Sequence, residues 1–330
     1  MNISNKVIEK ISDLAAKGEK FFFIIDFSGL NSHVLSPEEA AEKGIFFSIN
    51  EFSNADEYRD SEFISPNHLK KKFTVFPVDF NEYQKAFNTV KLALQRGDTY
   101  LLNLTFRTQI ETDYSLEEIF RFSKARYKLL FKNEFVVFSP EMFISIKDGI
   151  IETRPMKGTI SAGIPGAEAR LLGNQKELYE HNTIVDLLRN DLNIVASNVE
   201  VKKFRYLEKI TTNKGEIIQA SSIITGELQH DYKNSLGQII AALLPAGSVT
   251  GAPKEKTVEL INQIEIYQRG YYTGIFGYFD GKNLETAVSI RFIERSGDKF
   301  FFKSGGGITA LSDPLDEYNE LIDKVYVPIF

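Results

Sequence analysis

The chain has 330 residues, 43% hydrophobic and 25% charged, which is ordinary for a globular protein. Its net charge of −6 and pI near 5.5 argue against a nucleic-acid surface, which needs a concentrated basic patch. No apolar run approaches the roughly 20 residues that cross a bilayer, and the polar N-terminus lacks the apolar centre of a signal peptide. We therefore expect a cytoplasmic protein that binds neither nucleic acid nor a membrane.

The absence of cysteine narrows the chemistry further. A thiol nucleophile, thiolate-bound zinc and iron–sulfur clusters are all excluded within this chain. There are four histidines, too few to favour a histidine-rich metal site. Any bound metal is expected to be a hard cation held by carboxylate oxygens.

In the first half of the chain, apolar spacing predicts three helices. They are expected at 5–17, at about 81–97 and at about 115–126. Strands are expected in KFFFIIDFSG, in TYLLNLTFRTQI and on both sides of an Asp148–Gly149 turn. Short strands and turns are expected between 31 and 75.

In the second half, helices and strands alternate without a regular order. Helices are expected at 166–191, at 252–264 and from Pro314 onward. Strands are expected around 199–208, 215–228, 272–279, 285–294 and 299–304. Short turns join several neighbouring strands, which favours an α+β fold with antiparallel sheets and helices outside them, and not a doubly wound fold.

Two pairs of glutamates occur at helical spacing. Glu177 and Glu180 are three residues apart, and so are Glu317 and Glu320, so each pair projects from one face of its helix. If the two pairs face each other, four carboxylates need a cation, and Mg²⁺ prefers oxygen ligands. Taken alone, each pair is more typical of a solvated helix face.

Two glycine-containing loops have the composition of anion sites. In GSVTGAPKEK, the amides of Gly251 and Ala252 precede a helix start, with Lys254 nearby. In FFKSGGGITAL, three glycines follow a strand and allow backbone N–H groups to approach a ligand closely. A plain tight turn is the alternative for either loop.

An arginine and two tyrosines have side chains suited to line the binding site of such an anion. Arg291 interrupts the apolar strand AVSIRFIE, where a guanidinium is either paired internally or points into a cavity and holds a carboxylate. Tyr271 and Tyr272 stand beside small residues in RGYYTG and could add hydroxyl donors, although tyrosines in strands are more often core residues. Together with the carboxylates, these features indicate a small polyanion bound with a divalent cation.

Seven motifs occur together in a fixed order: SPEMF, RPMKGT, KELYEHNTIVDLLRNDL, GSVTGAPKEKTVELINQIE, RGYYTGIFGYFDG, AVSIRFIE and KSGGGITALSDPLDEYNELIDKV. In this order they resemble the chorismate-utilising enzymes, a family that contains anthranilate synthase component I, aminodeoxychorismate synthase component I, and the isochorismate and salicylate synthases. The resemblance runs from about Asp79 to the C-terminus. It predicts a short N-terminal portion, 1–78, packed onto a chorismate-binding catalytic domain, 79–330.

The resemblance implies a fold and a set of site residues. Family members share a large sandwich of antiparallel sheets flanked by helices, with the active site in the cleft between. By this resemblance, the ligands around a Mg²⁺ ion that binds a chorismate carboxylate are Glu177, Glu180, Glu317 and Glu320. The groups that hold the substrate carboxylates are Arg291, Tyr272, Lys324 and the amides of Gly305 and Gly307, with Ser248 against the ring or side chain.

The lysine of RPMKGT is the most informative residue of the resemblance. Anthranilate synthases have alanine at this position, whereas Lys157 resembles the aminodeoxychorismate synthases, in which the lysine is a nucleophile. Its amine would attack C2 of chorismate and expel the C4 hydroxyl, and ammonia would then attack C4 and expel the lysine. We therefore expect a lowered pKa for Lys157, and a raised pKa for Glu141, which would protonate the departing hydroxide.

Two departures qualify this interpretation. Gln219 stands where the family usually has histidine, and glutamine cannot supply a full proton. Because the chain lacks cysteine, it cannot release ammonia from glutamine, and the resemblance implies a separate glutamine amidotransferase subunit.

The leading hypothesis is amination of chorismate to 4-amino-4-deoxychorismate, in 4-aminobenzoate and folate biosynthesis. Three alternatives remain open. They are anthranilate synthase component I, isochorismate or salicylate synthase, and a chorismate-binding regulator without catalytic activity.

Overall fold

The structure is a computed structural model that describes residues 3–58, 71–212 and 215–329. Within these ranges the helices are α1 (Asn5–Lys17), α2 (Pro37–Glu42), α3 (Phe80–Arg96), α4 (Leu116–Phe122), α5 (Ala167–Gly173), α6 (Gln175–Val195), α7 (Leu236–Leu243), α8 (Lys254–Ile264) and α9 (Pro314–Asp323). None of these described helices is long and apolar enough to cross a membrane.

The described strands form two antiparallel sheets. They are β1 (Phe21–Ile25), β2 (Ser32–Leu35), β3 (Ile45–Ile49), β4 (Phe52–Ser53), β5 (Phe73–Phe76), β6 (Leu101–Thr112), β7 (Tyr127–Phe131), β8 (Phe135–Ser139), β9 (Met142–Lys147), β10 (Ile150–Thr153), β11 (Met156–Ser161), β12 (Ser197–Thr212), β13 (Gly215–Glu227), β14 (Gly251–Ala252), β15 (Ile275–Phe279), β16 (Leu284–Val288), β17 (Phe292–Ser296) and β18 (Lys299–Ile308).

Each sheet has nine strands among the described residues. Sheet A has the order β11-β13-β10-β9-β16-β15-β1-β2, with β12 also paired to β13. Sheet B has the order β14-β6-β18-β17-β8-β7-β3-β4, with β5 also paired to β6. The predicted α+β fold with antiparallel sheets is confirmed.

The two sheets pack face to face, and helices cover both outer faces. Aromatic and aliphatic side chains from β1, β15 and β16 meet those of β3, β7 and β8 between the sheets. The outer face of sheet A packs against α1, α6 and α7, and that of sheet B against α3, α4, α8 and α9. This is the expected way for amphipathic helices and two-faced strands to bury their apolar surfaces.

Two of the points at which the described chain passes from one sheet to the other are neighbours. The segment from β8 to β9 goes from sheet B to sheet A, and the segment from β16 to β17 returns. The two crossings lie side by side because Phe138 N donates to Arg291 O at 3.1 Å and Val288 N donates to Glu141 O at 3.1 Å. The crossings therefore place Glu141 and Arg291 together where the sheets diverge.

Two predicted elements are corrected by the structure. The helix expected at 166–191 is divided at Asn174, whose side chain caps α6 by accepting from Glu177 N. The strand expected at 285–294 is two strands, in different sheets, that meet at Arg291 with a φ of 55°. A left-handed φ is uncommon for a non-glycine residue, and here it lies at the change of sheet.

Described strands of the N-terminal portion belong to both sheets. Strands β1 and β2 belong to sheet A, and β3 and β4 belong to sheet B. These four strands are therefore part of the sandwich, and the division of the chain at residue 78 stays a prediction.

Candidate active site

A cavity of about 240 Å³ opens between the sheets at the crossings. Eight of the predicted catalytic and substrate-binding residues line it: Glu141, Lys157, Ser248, Tyr272, Arg291, Gly305, Gly307 and Lys324. Glu320 also lines it, as does Gln219 at the position noted for histidine. Residues from eight separate stretches of sequence are thus brought to one place.

Lys157 enters the cavity from a β-bulge. The pairing of β11 with β13 runs from Met156 opposite Ser221 to Thr159 opposite Gln219, so β11 has one extra residue here. Such a bulge bends the strand and redirects a side chain. The following residue, Gly158, has a φ of +81°, which favours glycine.

A side chain at position 158 would also collide with its surroundings. An added Cβ would lie 2.9 Å from Leu171 Cδ1 and 3.0 Å from Glu177 Oε2. The small residue after Lys157 therefore lets β11 approach α5 and α6 closely. As a result, Lys157 Nζ comes within 3.5 Å of Glu180 Oε2, and its side chain is 27% exposed.

The environment of Glu141 favours its protonated form. Burial raises its pKa, and this outweighs the hydrogen bond from Ser248 and the positive charges of Lys157, Lys324 and Arg291. Ser248 Oγ donates to Glu141 Oε1 at 2.5 Å. Ser248 was predicted to contact the substrate, and its partner in the structure is this carboxyl group.

Arg291 and Tyr272 have polar groups left over for a ligand. Arg291 Nε is buried without a hydrogen-bond partner among the described residues, and Nη1 donates to Lys324 O at 3.5 Å. Tyr272 is 3% exposed, and burial raises the pKa of its hydroxyl, which therefore stays a donor. A guanidinium with a buried, unused donor is suited to bind a carboxylate.

The three consecutive glycines of β18, Gly305–Gly307, also line the cavity. In the described part of the chain, β18 pairs with β17 only as far as Lys303, whereas its pairing with β6 continues to Ile308. One edge of Gly305–Gly307 is therefore free of strand partners. Lys324 Nζ donates to Gly305 O at 2.8 Å and lies 2.7 Å from Glu320 Oε1, and burial lowers its pKa.

The two glutamate pairs lie near one another on α6 and α9. Lys176 Nζ lies 3.2 Å from Glu317 Oε1 and 3.9 Å from Glu180 Oε1, so an ammonium bridges the two helices. No group of three acidic or histidine side chains within the described ranges is arranged to hold a metal ion. Carboxylate oxygens are the donors that Mg²⁺ prefers, and in the structure the ammonium group of Lys176 lies between Glu180 and Glu317.

The pKa of Lys157 changes in the direction opposite to the prediction. Burial alone would lower the pKa, but the carboxylates of Glu180, Glu320, Glu177 and Glu141 outweigh it and raise the pKa. The prediction considered burial and neighbouring cations only. It missed that the acidic pairs lie beside the amine.

The expected anion loop at 251–254 is not one. Gly251 and Ala252 form β14, which pairs with Leu102 and Leu101 of β6. Lys254 Nζ lies 2.9 Å from Asp191 Oδ2 and donates to Leu243 O at 2.7 Å. The lysine is therefore satisfied inside the protein.

Two further lysines were not predicted as part of the site. Lys176 precedes Glu177 directly, so its spacing of four residues from Glu180 could have signalled an ion pair. Lys303 lines the cavity, is 3% exposed and lies 2.6 Å from Glu294 Oε2. It is a cation in an apolar strand, the same signal that singled out Arg291.

Comparison with known proteins defines the class. The sequence profile of the chorismate-binding enzymes matches residues 37–329, and the chain belongs to this family. The menaquinone-specific isochorismate synthase MenF of Escherichia coli has a similar fold, with a TM-score of 0.69 and 18% identity over 97% of this chain and 79% of that one.

Two relatives show the range of similarity within the family. An uncharacterised PabA-like protein of Haemophilus influenzae is 51% identical over 98% of this chain and 96% of its own length. Aminodeoxychorismate synthase component 1 of Bacillus subtilis is 32% identical over 76% of this chain and 56% of its own length. This chain therefore spans just over half of the latter protein.

Proposed function

We propose that this protein is an aminodeoxychorismate synthase component I, which converts chorismate and ammonia to 4-amino-4-deoxychorismate. The observation that carries the proposal is the amine of Lys157, placed on the wall of a cavity that also contains the buried acid Glu141 and the unpaired donor of Arg291. The similarity to the Bacillus subtilis synthase component supports it.

The proposed chemistry divides one substitution into two. Lys157 Nζ forms a bond to C2 while both conjugated ring double bonds shift and the C4 hydroxyl departs, taking the proton of Glu141 and leaving as water. Ammonia then forms a bond to C4, both double bonds shift back, and the bond between C2 and Lys157 breaks. The Glu141 carboxylate takes back one proton from the new C4 ammonium group.

Binding groups surround these reacting atoms. Arg291 and Tyr272 are proposed to hold one substrate carboxylate, and Lys324 with the backbone of Gly305 and Gly307 the other. When bound at the carboxylates of Glu177, Glu180, Glu317 and Glu320, Mg²⁺ would offset their charge and accept a carboxylate oxygen of the substrate. Ammonia is proposed to come from a separate glutamine amidotransferase subunit.

A product assay tests the proposal. Purified protein is incubated with chorismate, Mg²⁺ and ammonium at alkaline pH, and the products are separated and identified by mass. We expect 4-amino-4-deoxychorismate, formed only when ammonium is present. Formation of anthranilate, or of isochorismate or salicylate without ammonium, would overturn the proposal in favour of another activity of the family, and no turnover would favour a regulator.

A further inference from the structure

A fully buried hydrogen-bond cluster lies behind β11. Its centre is Ser222 on β13, and the other members are His181 on α6 and Arg205 on β12. Ser222 and His181 are 0% exposed, and Arg205 is 8% exposed. None of the three lines the cavity, so the proposed chemistry does not use them directly.

Ser222 joins three elements by separate hydrogen bonds. Its backbone N donates to Pro155 O at 3.0 Å, two residues before Lys157. Its Oγ accepts from Arg205 N at 3.0 Å and lies 2.6 Å from His181 Nε2. A single hydroxyl thus makes both the hydrogen bond with Arg205 N and the one with His181 Nε2.

Arg205 extends the cluster to α5. Its guanidinium donates to Leu171 O at 2.9 Å and to Leu172 O at 3.1 Å, in the last turn of that helix. Leu171 is the residue whose Cδ1 fills the space beside Gly158. The cluster thus holds α5, which packs against the bulge, as well as the start of β11, which contains the bulge.

We propose that Ser222 is a positioning residue for Lys157. Its backbone N–H bonds Pro155 and so fixes β11, the strand that carries the amine. Its hydroxyl bonds His181 and so fixes α6, in which Glu180 directly precedes His181. These two connections set the distance of 3.5 Å between Lys157 Nζ and Glu180 Oε2. The role in catalysis rests on the proposed function of Lys157.

The groups proposed to bind the substrate carboxylates lie on other elements. Arg291 is at the second crossing, Tyr272 is in the turn before β15, and Lys324 follows α9. Loss of the Ser222 side chain should therefore misplace the nucleophile without removing the binding groups. In kinetic terms, kcat falls and KM for chorismate is retained.

The test compares two adjacent buried serines. Ser222→Ala removes the hydroxyl of the cluster, and Ser221→Ala is the matched control, because Ser221 is equally buried and its Oγ donates to Glu208 Oε2 instead. We expect Ser222→Ala to lower kcat about tenfold or more with KM for chorismate changed less than about twofold. Ser221→Ala should leave both unchanged.

A second pair of variants tests the hydrogen bond to α6. His181→Phe keeps a ring but loses the nitrogen that bonds Ser222, whereas His181→Gln can still form a hydrogen bond with Ser222. We expect His181→Gln to recover part of the kcat that His181→Phe loses. Equal kcat in wild type and Ser222→Ala, or equal losses in Ser222→Ala and Ser221→Ala, would overturn the inference.

A labelling measurement separates this inference from the proposed function. Lysines are methylated with formaldehyde and cyanoborohydride, and the rate at Lys157 is measured by peptide mass spectrometry in folded protein. We expect Lys157 to react several times faster in Ser222→Ala than in wild type or Ser221→Ala, because its contact with Glu180 loosens. If wild type does not aminate chorismate, the proposed function fails, and an equal labelling rate in all three proteins would separately refute the positioning role.

Discussion

At the scale of single residues, Lys157 and Glu141 have complementary environments. Carboxylates raise the pKa of the lysine, which keeps its proton at neutral pH, and burial raises the pKa of the glutamate. The reactive pair is a neutral amine and a protonated acid. The neutral amine of Lys157 is therefore scarce at a pH where the protonated acid of Glu141 is abundant, and the reverse holds at higher pH.

This pairing predicts an unusual pH profile. The neutral fraction of Lys157 rises about tenfold per pH unit below its pKa, while the protonated fraction of Glu141 falls about tenfold per unit above its own. Between the two pKa values these changes cancel, so the amination rate should be flat. In Glu141→Gln the falling component is lost, and the lower residual rate should rise with pH.

The measurement is kcat at saturating chorismate and fixed free ammonia, over about three pH units around neutrality. Fixing free ammonia removes the titration of the nucleophile from the profile. A rate that rises with pH in wild type, or a flat profile retained in Glu141→Gln, would contradict the assignment of Glu141 as the acid.

The sequence identified most of the site at this scale because the chemistry resides in residue types at fixed motif positions. Lys157, Glu141 and Arg291 could be selected before any contact was known. The direction of the pKa shift of Lys157 could not be predicted in this way, because it depends on Glu180 and Glu320, which lie on other elements. For the same reason Lys254 was misread: its partner, Asp191, is distant in sequence.

At the scale of elements, the bulge in β11 carries Lys157, the proposed nucleophile. Gly158 and Gly149 have nearly the same φ, +81° and +80°, but an added Cβ meets Leu171 and Glu177 at Gly158 and nothing within 4 Å at Gly149. We expect Gly158→Ala and Gly149→Ala each to cost about 1–2 kcal/mol of stability from the left-handed backbone. Only Gly158→Ala should also lower kcat, by about tenfold or more, since it displaces the bulge.

Denaturant unfolding and steady-state kinetics on both variants check this prediction. The glycine at 149 controls for backbone strain alone. Full activity in a folded Gly158→Ala variant would show that the close packing of β11 on α5 and α6 is not needed to place Lys157.

The contact between α6 and α9 gives a prediction about metal binding. Lys176 is the described cation that bridges Glu180 and Glu317. Lys176→Met leaves these carboxylates without that charge, so we expect a lower Tm without Mg²⁺ and a larger rise in Tm when Mg²⁺ is added. Lys176→Arg keeps the charge and serves as the control. The same Mg²⁺-induced rise in wild type and both variants would argue against a site between the helices.

Elements were predictable where the signal is local. The helix α3 begins after Asp79, whose side chain accepts from Asn81 N and Glu82 N, and ends at Gly97 with a φ of 78°, so both ends are encoded by adjacent residues. The change of sheet at Arg291 was missed because AVSIRFIE reads as one continuous strand. What divides it is pairing with β9 on one side and β8 on the other, a non-local cause.

At the scale of the whole molecule, the absence of cysteine sets the nitrogen source. A thiolate is the nucleophile that would release ammonia from glutamine, and the chain has none. We therefore expect the purified protein to aminate chorismate with ammonium and not with glutamine. Adding a glutamine amidotransferase subunit should restore use of glutamine, which is measured by product formation with each nitrogen source. Amination with glutamine by the purified chain alone would contradict this prediction.

The sandwich itself explains why the site lies where it does. The two crossings between sheets bring Glu141 and Arg291 together, and the free edge of β18 faces them. Lys157 reaches this place from β11, which pairs with β13 in sheet A, through its bulge. The cavity is therefore a product of the topology, and the motifs supply the chemistry inside it.

The most direct measurement is a search for the covalent adduct. Protein, chorismate and Mg²⁺ are incubated without ammonia, quenched and digested, and each lysine peptide is weighed. We predict an added mass of chorismate less one water on Lys157 alone, absent in Lys157→Ala, whereas the exposed control Lys147→Ala retains it. An enzyme that aminates chorismate yet carries no adduct, or carries it on another lysine, would contradict nucleophilic catalysis by Lys157.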